Sequence, residues 1–126
     1  MYRILIVDDD HDFSRALALK FAKAGFETIT AADAYQAVQE VHHEKLDAMI
    51  LDIMLPAGGG LHVLKNLRSM PHGLPLPVVV VSGCKDDEKK QKLMEEGIAA
   101  FIEKPCDYGL IVETVRKIIA GEQNGN

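Results

Sequence analysis

Four apolar runs in this chain each lead into polar residues of the kinds that handle phosphate or metal. Ile4-Leu5-Ile6-Val7 leads into Asp8 and Asp9, and Ala48-Met49-Ile50-Leu51 into Asp52. Val78-Val79-Val80-Val81 leads into Ser82, and Ala100-Phe101-Ile102, one residue on, into Lys104-Pro105. Three carboxylates in one crevice repel one another unless a cation neutralises them. Mg²⁺ suits such a place, held by one or two carboxylates, a few waters and phosphate oxygens. A carboxylate beside it can act as nucleophile toward a phosphoryl group while an ammonium draws off the developing charge. Asp52 is the strongest nucleophile candidate, because it stands alone at the end of its run and is followed by a loop. Lys104 would pair with one phosphoryl oxygen, and Ser82 would donate a hydrogen bond to another.

These residues meet only if the four runs lie side by side. Short β-branched runs separated by helical patterns read as buried parallel strands, and open α/β sheets bind ligands at the carboxyl ends of their strands. Strands are expected at about residues 3–7, 27–31, 47–51, 78–81 and 99–102. Between the first two, Phe13, Leu17, Phe21 and Ala24 recur at helical spacing, with Asp10 or Asp12 to cap the start and Gly25 to stop it. Asp33 caps a second helix that carries Ala34, Ala37, Val38 and Val41 on one face. Pro56-Ala57-Gly58-Gly59-Gly60 reads as a turn ahead of a helix with Leu61, Leu64 and Leu67. Pro71, Pro75 and Pro77 hold a loop before the fourth strand. A largely polar helix over 85–96 ends at Gly97, and the last helix covers about 107–120. The count is (βα)₅, which predicts an α/β fold: a doubly wound, five-stranded parallel sheet with right-handed crossovers and helices on both faces. The commonest strand order for such a sheet, 2-1-3-4-5, sets Asp8, Asp9 and Asp52 beside one another at its switch point.

Bulk properties narrow the function classes. A chain of 126 residues forms one domain, expected over 1–120, with the polar residues 121–126 expected to be a disordered tail. Its 48% hydrophobic and 26% charged content is ordinary for a globular protein. A formal charge of -5 weighs against nucleic-acid binding. Neither a secretory leader nor an 18-residue apolar run is present, so cytoplasmic residence without membrane contact is expected. Cys84 and Cys106 lack CxxC or Cys/His spacing and read as reduced thiols. His42 and His43, adjacent on a helix, point apart and read as solvated helix-end residues.

Taken together, Ile4-Leu5-Ile6-Val7-Asp8-Asp9-Asp10, Leu51-Asp52-Ile53-Met54-Leu55-Pro56 with Gly60, Val81-Ser82-Gly83 and Phe101-Ile102-Glu103-Lys104-Pro105 resemble the response-regulator receiver domains of two-component signalling. The likeness covers residues 2–120. It implies a flavodoxin-like fold, so the strand order above is in part what the family implies. It makes Asp52 the phosphoacceptor, supplied by a sensor histidine kinase or a histidine phosphotransfer protein. Asp9 would ligate Mg²⁺ directly and Asp8 mostly through water, with Asp52 and the Met54 backbone carbonyl completing the metal site. Ser82 takes the hydroxyl switch position, Lys104 the conserved-type lysine before a typically cis proline, and Phe101 the aromatic whose rotamer follows the switch. The face of the last two helices and fifth strand would address a partner or, on phosphorylation, a second copy. Gly83 stands where alanine is usual. Met54 and Cys84, two residues past key positions, offer an attacking water no strong hydrogen bond, which predicts slow self-dephosphorylation.

Two other classes share parts of this pattern. Haloacid-dehalogenase-like phosphatases place a second Asp two residues after a nucleophile at the first strand, as Asp8 and Asp10 do. That reading leaves Asp52, Ser82 and Lys104 without their arrangement and lacks a cap domain for substrate. A flavodoxin-like cofactor binder needs a Ser/Thr/Gly-rich first loop, whereas Asp8-Asp9-Asp10-His11-Asp12 would repel a phosphate. The last helix carries Leu110, Ile111, Val112, Val115, Ile118 and Ile119, more than one core-facing stripe. Generous core packing accounts for it, with a patch for a partner or self-association as the alternative.

Overall fold

The computed structural model describes residues 1–55, 59–71 and 75–121. Strands and helices alternate: β1 (Arg3–Val7), α1 (His11–Lys23), β2 (Glu27–Ala31), α2 (Ala34–His43), β3 (Ala48–Leu51), α3 (Gly59–Arg68), β4 (Val78–Ser82), α4 (Asp87–Glu95), β5 (Ala100–Glu103) and α5 (Tyr108–Ala120). All pairings are parallel, in the order β2-β1-β3-β4-β5. The (βα)₅ pattern and the expected order are both realised.

Successive side chains of a strand point to opposite faces, so a strand apolar throughout needs cover on both sides. Leu5, Val7, Met49, Leu51, Val78 and Val80 pack against α2, α3 and α4. Ile4, Ile6, Ala48, Ile50, Val79 and Val81 pack against α1 and α5. Each fully buried Leu, Ile or Phe contributes about 1.5–3 kcal/mol relative to exposure. The edge strands β2 and β5 are only partly covered.

Aspartates start four helices. Asp10 accepts from the Phe13 N–H at 3.1 Å, Asp33 from Gln36 at 2.8 Å, Asp86 from Glu88 at 2.9 Å and Asp107 from Gly109 at 2.8 Å. Such a cap is worth about 1 kcal/mol. Asp10 rather than Asp12 therefore caps α1, and Gly25 follows that helix at φ 93°.

The boundaries differ from expectation in two informative places. Gly59 and Gly60, expected in a turn, open α3 instead. Their glycine character answers a close approach: a Cβ on Gly60 would lie 2.5 Å from Ile53 Cα and 2.8 Å from the Asp52 carbonyl oxygen. The fifth strand runs one residue later than expected, because pairing with β4 continues to Ser82 and Glu103. In α5, Ile111, Val112, Val115 and Ile118 are buried and Ile119 partly so, while Leu110 stays 52% exposed. Core packing accounts for most of its apolar surface. Residues 56–58 of the expected turn, 72–74 of the proline-rich loop and 122–126 of the expected tail lie outside the described residues. Both cysteines are free thiols, Cys84 buried and Cys106 half-buried, and His42 and His43 are exposed at the end of α2. Among the described residues no helix is long and apolar enough to cross a membrane.

Candidate functional site

Strand pairing delivers the acidic residues. The Asp8 N–H donates to the Ala31 carbonyl at 3.0 Å and the Asp52 N–H to the Val7 carbonyl at 2.9 Å, so both residues extend the ladder beyond their strands. Carboxylate oxygens of Asp8, Asp9 and Asp52 consequently lie within 4.8 Å of one another. Asp8 is 2% and Asp52 8% exposed, while Asp9 is exposed.

Lys104 arrives from the far side of the sheet. Its N–H donates to the Ser82 carbonyl at 2.9 Å, and its Nζ donates to Asp8 Oδ2 at 2.8 Å and Asp52 Oδ2 at 3.2 Å. The Lys104–Pro105 bond is cis, as the family resemblance implies. The buried Ser82 hydroxyl donates to Asp52 Oδ1 at 2.9 Å and accepts from the Cys84 N–H at 3.3 Å. Asp52 Oδ1 also accepts from the Met54 N–H at 2.9 Å, and Asp8 Oδ1 from the Asp10 N–H at 2.9 Å. The two buried carboxylates are thus held by backbone and side-chain donors, which fixes their orientation.

Burial pushes the Asp8 carboxyl above its usual range, outweighing the Lys104 and Asp10 hydrogen bonds that favour its charge; the neighbouring Asp52 charge pushes the same way. Burial pulls the other way on Lys104, but the hydrogen bond to Asp8 and the charges of Asp52 and Asp8 prevail and raise its pKa. One ammonium therefore faces three carboxylates, and the site is short of positive charge. Asp9 has no hydrogen-bond or ion-pair partner among the described residues, and the Met54 carbonyl accepts no hydrogen bond from them. Hard oxygen donors with free lone pairs, in a charge-deficient pocket open to water on one side, fit Mg²⁺.

All the candidate residues converge on this edge: Asp8, Asp9 and Asp52 in the cluster, Ser82 and Lys104 on Asp52, and Met54 on the loop beside it. Phe101 lies half-buried on β5, with the Lys90 ammonium 5.1 Å from its ring centroid. Sequence reasoning missed two residues that make contacts beside the site. Glu103 accepts from Lys85 at 2.7 Å and Lys90 at 3.4 Å, tying β5 to the start of α4. Phe13 reads in the sequence as the head of a core stripe, yet its ring centroid lies 4.1 Å from Lys104 Nζ. Helical spacing shows that Phe13 faces inward; it carries no signal that the lysine just past β5 ends over the ring.

Comparison with known proteins gives the same family. A model described as response regulator receiver domain matches residues 4–116. The transcriptional regulatory protein PrrA of Mycobacterium bovis is 31% identical over 117 residues, covering 93% of this chain and 49% of that protein. The alkaline phosphatase synthesis transcriptional regulatory protein PhoP of Bacillus subtilis is 34% identical over 118 residues, covering 93% and 48%. The chain thus spans about half the length of these curated relatives. Among solved structures, a response regulator receiver protein from Pseudomonas putida superposes with TM-score 0.87 at 31% identity, over 92% of this chain and 96% of that one. A CheY-like receiver domain protein from Methanospirillum hungatei reaches TM-score 0.91 at 23% identity, covering 100% and 99%, a likeness of fold. Site, fold and relatives agree: the chain belongs to the response regulator receiver domain family of two-component systems.

Proposed function

We propose that Asp52 accepts a phosphoryl group from a phosphohistidine, carried by a sensor histidine kinase or a histidine phosphotransfer protein, with Mg²⁺ held at Asp8, Asp9, Asp52 and the Met54 carbonyl. The observation that carries this reading is the unequal state of the two Asp52 oxygens. Oδ1 is occupied by the Met54 N–H and the Ser82 hydroxyl, whereas Oδ2 has only Lys104 among the described residues. Oδ2 is then the attacking oxygen. It forms the O–P bond as the P–N bond of the donor breaks, and the imidazole nitrogen leaves with the electron pair. Bound Mg²⁺ would offset the crowded carboxylates and the charge on the phosphoryl oxygens. By the family resemblance, Asp9 would ligate it directly and Asp8 mostly through water.

Ser82 and Lys104 exchange Asp52 for phosphoryl oxygens. They are already joined by the bond from the Lys104 N–H to the Ser82 carbonyl. An inward pull on Ser82 acts on the loop before α4, and Glu103 links that loop and helix to β5 through Lys85 and Lys90. This supports the face of α4, β5 and α5 as the surface that a partner, a further domain or a second copy reads. The phosphoryl group biases a pre-existing equilibrium by its different contacts in the two states. The chain acts as a switch: its chemistry is its own phosphoryl transfer and the later loss of that group, and no direct nucleic-acid contact is assigned to it.

Intact-protein mass after incubation with phosphoramidate, with and without Mg²⁺, tests the reading on wild type and Asp52→Ala. One phosphoryl group is expected, dependent on Mg²⁺ and absent in the variant. An adduct of equal yield in Asp52→Ala would move the acceptor elsewhere.

A further inference from the structure

We propose that Phe13 is a positioning residue whose ring holds the Lys104 ammonium over the Asp8–Asp52 pair, ready for an incoming phosphoryl group. This rests on Asp52 being the phosphoacceptor. Lys104 Nζ lies 4.1 Å from the Phe13 ring centroid, well inside the ~6 Å reach of a cation–π contact. An ammonium has three N–H donors. Two point to Asp8 Oδ2 at 2.8 Å and Asp52 Oδ2 at 3.2 Å, and the aromatic face covers a further side that water would otherwise take.

The ring is itself fixed. The Phe13 N–H is bonded to the capping Asp10 carboxylate at 3.1 Å, and the ring meets Tyr108 edge-on at 5.5 Å and 66°. Tyr108 opens α5, so helices from the two ends of the sequence brace the ring that braces the lysine. The carboxylate contacts alone would be a poor tether, because the reaction changes one of the two partners. Attraction to the ring does not depend on which anion stands in front of the ammonium. It keeps Lys104 local while its partner changes from Asp52 to a phosphoryl oxygen. A leucine at residue 13 would also exclude water and fill the α1–α5 seam, but it would not attract the cation.

Phosphoramidate as donor tests this without any protein–protein docking. Phe13→Leu is expected to slow phosphorylation about three- to tenfold, and the ring-preserving Phe13→Tyr to restore it, both variants being checked for wild-type melting. In parallel, the Lys104 ε-methylene protons should show an upfield ring-current shift in wild type and Phe13→Tyr that is lost in Phe13→Leu. That signature needs only the folded wild type, so it holds even if Phe13→Leu packs badly. Lys104 protons at the ordinary lysine position in wild type, or Phe13→Leu phosphorylated at the wild-type rate, would overturn the proposal. Wild type that takes up no phosphoryl group at all would instead remove Asp52 as acceptor, and the role of Phe13 with it.

Discussion

Burial holds the Asp8 carboxyl above its ordinary range even with the Lys104 ammonium at 2.8 Å. At this residue the demands of the proposed metal role and of stability diverge. A carboxyl whose folded pKa is raised binds its proton more tightly folded than unfolded. Its contribution therefore favours the fold below the ordinary carboxylate pKa and is lost as pH rises through the folded value. Asp8→Asn is accordingly expected to melt higher than wild type in metal-free buffer at neutral pH while binding Mg²⁺ more weakly, as read by calorimetry and by Mg²⁺ titration. A lower melting temperature would mean that Asp8 stabilises the fold through its charge. Lys104 is the opposite case. Its raised pKa means that its favourable contribution is fully present below the ordinary lysine value and lost above the folded one, in strongly alkaline solution. Removing it strands two buried carboxylates. Lys104→Ala should cost about 1–3 kcal/mol in denaturant melts, less than a fully buried pair would, because the lysine side chain keeps 23% of its exposure.

At the scale of elements, α3 approaches the loop after β3 closely enough to constrain the backbone beside the site. A methyl on Gly60 meets backbone at Ile53 and Asp52, which no rotamer change relieves. Gly60→Ala should destabilise the protein by about 1–3 kcal/mol and slow phosphorylation, because the loop that carries Met54 must shift. Helix α4 is held lightly: Leu93 is its one buried residue, with Glu103 tied to Lys85 and Lys90 near its start and the Arg68 guanidinium donating to the Glu96 and Gly97 carbonyls at its end. Amide hydrogen exchange should be faster in α4 than in α1 or α5, and faster still at its C-terminal end in Arg68→Ala. The elements themselves are legible in sequence, because strands covered on both faces must be apolar throughout and a helix start needs a donor-satisfying cap. Runs such as Val78–Val81 and residues such as Asp33 state this locally. The start of α3 is not legible, since glycines read as turn formers whether they serve a turn or a close approach. Neither is the Phe13–Lys104 contact, which joins residues that share no period and meet only once α1, β5 and α5 are packed.

Across the whole molecule, the site depends on four strand ends brought to one edge by parallel pairing, and under the proposed function the α4–β5–α5 face would be coupled to it through Ser82, Lys104 and Glu103. The residues that would orient an attacking water are weak in this chain. Met54 is 59% exposed and offers only a thioether, and the Cys84 side chain is buried. The phosphorylated protein should therefore persist well beyond seconds once donor is removed, followed by intact mass over time; decay within seconds would place a water-orienting group where none is assigned. The proposed switch rests on Asp52 being the residue that carries the phosphoryl group. The most direct measurement is to phosphorylate the wild-type chain with phosphoramidate and Mg²⁺, reduce the acyl phosphate with borohydride, and sequence the peptides by tandem mass spectrometry. Conversion of Asp52 to homoserine, absent without Mg²⁺, is the predicted result, and conversion at Asp8 or Asp9 with Asp52 intact would contradict it.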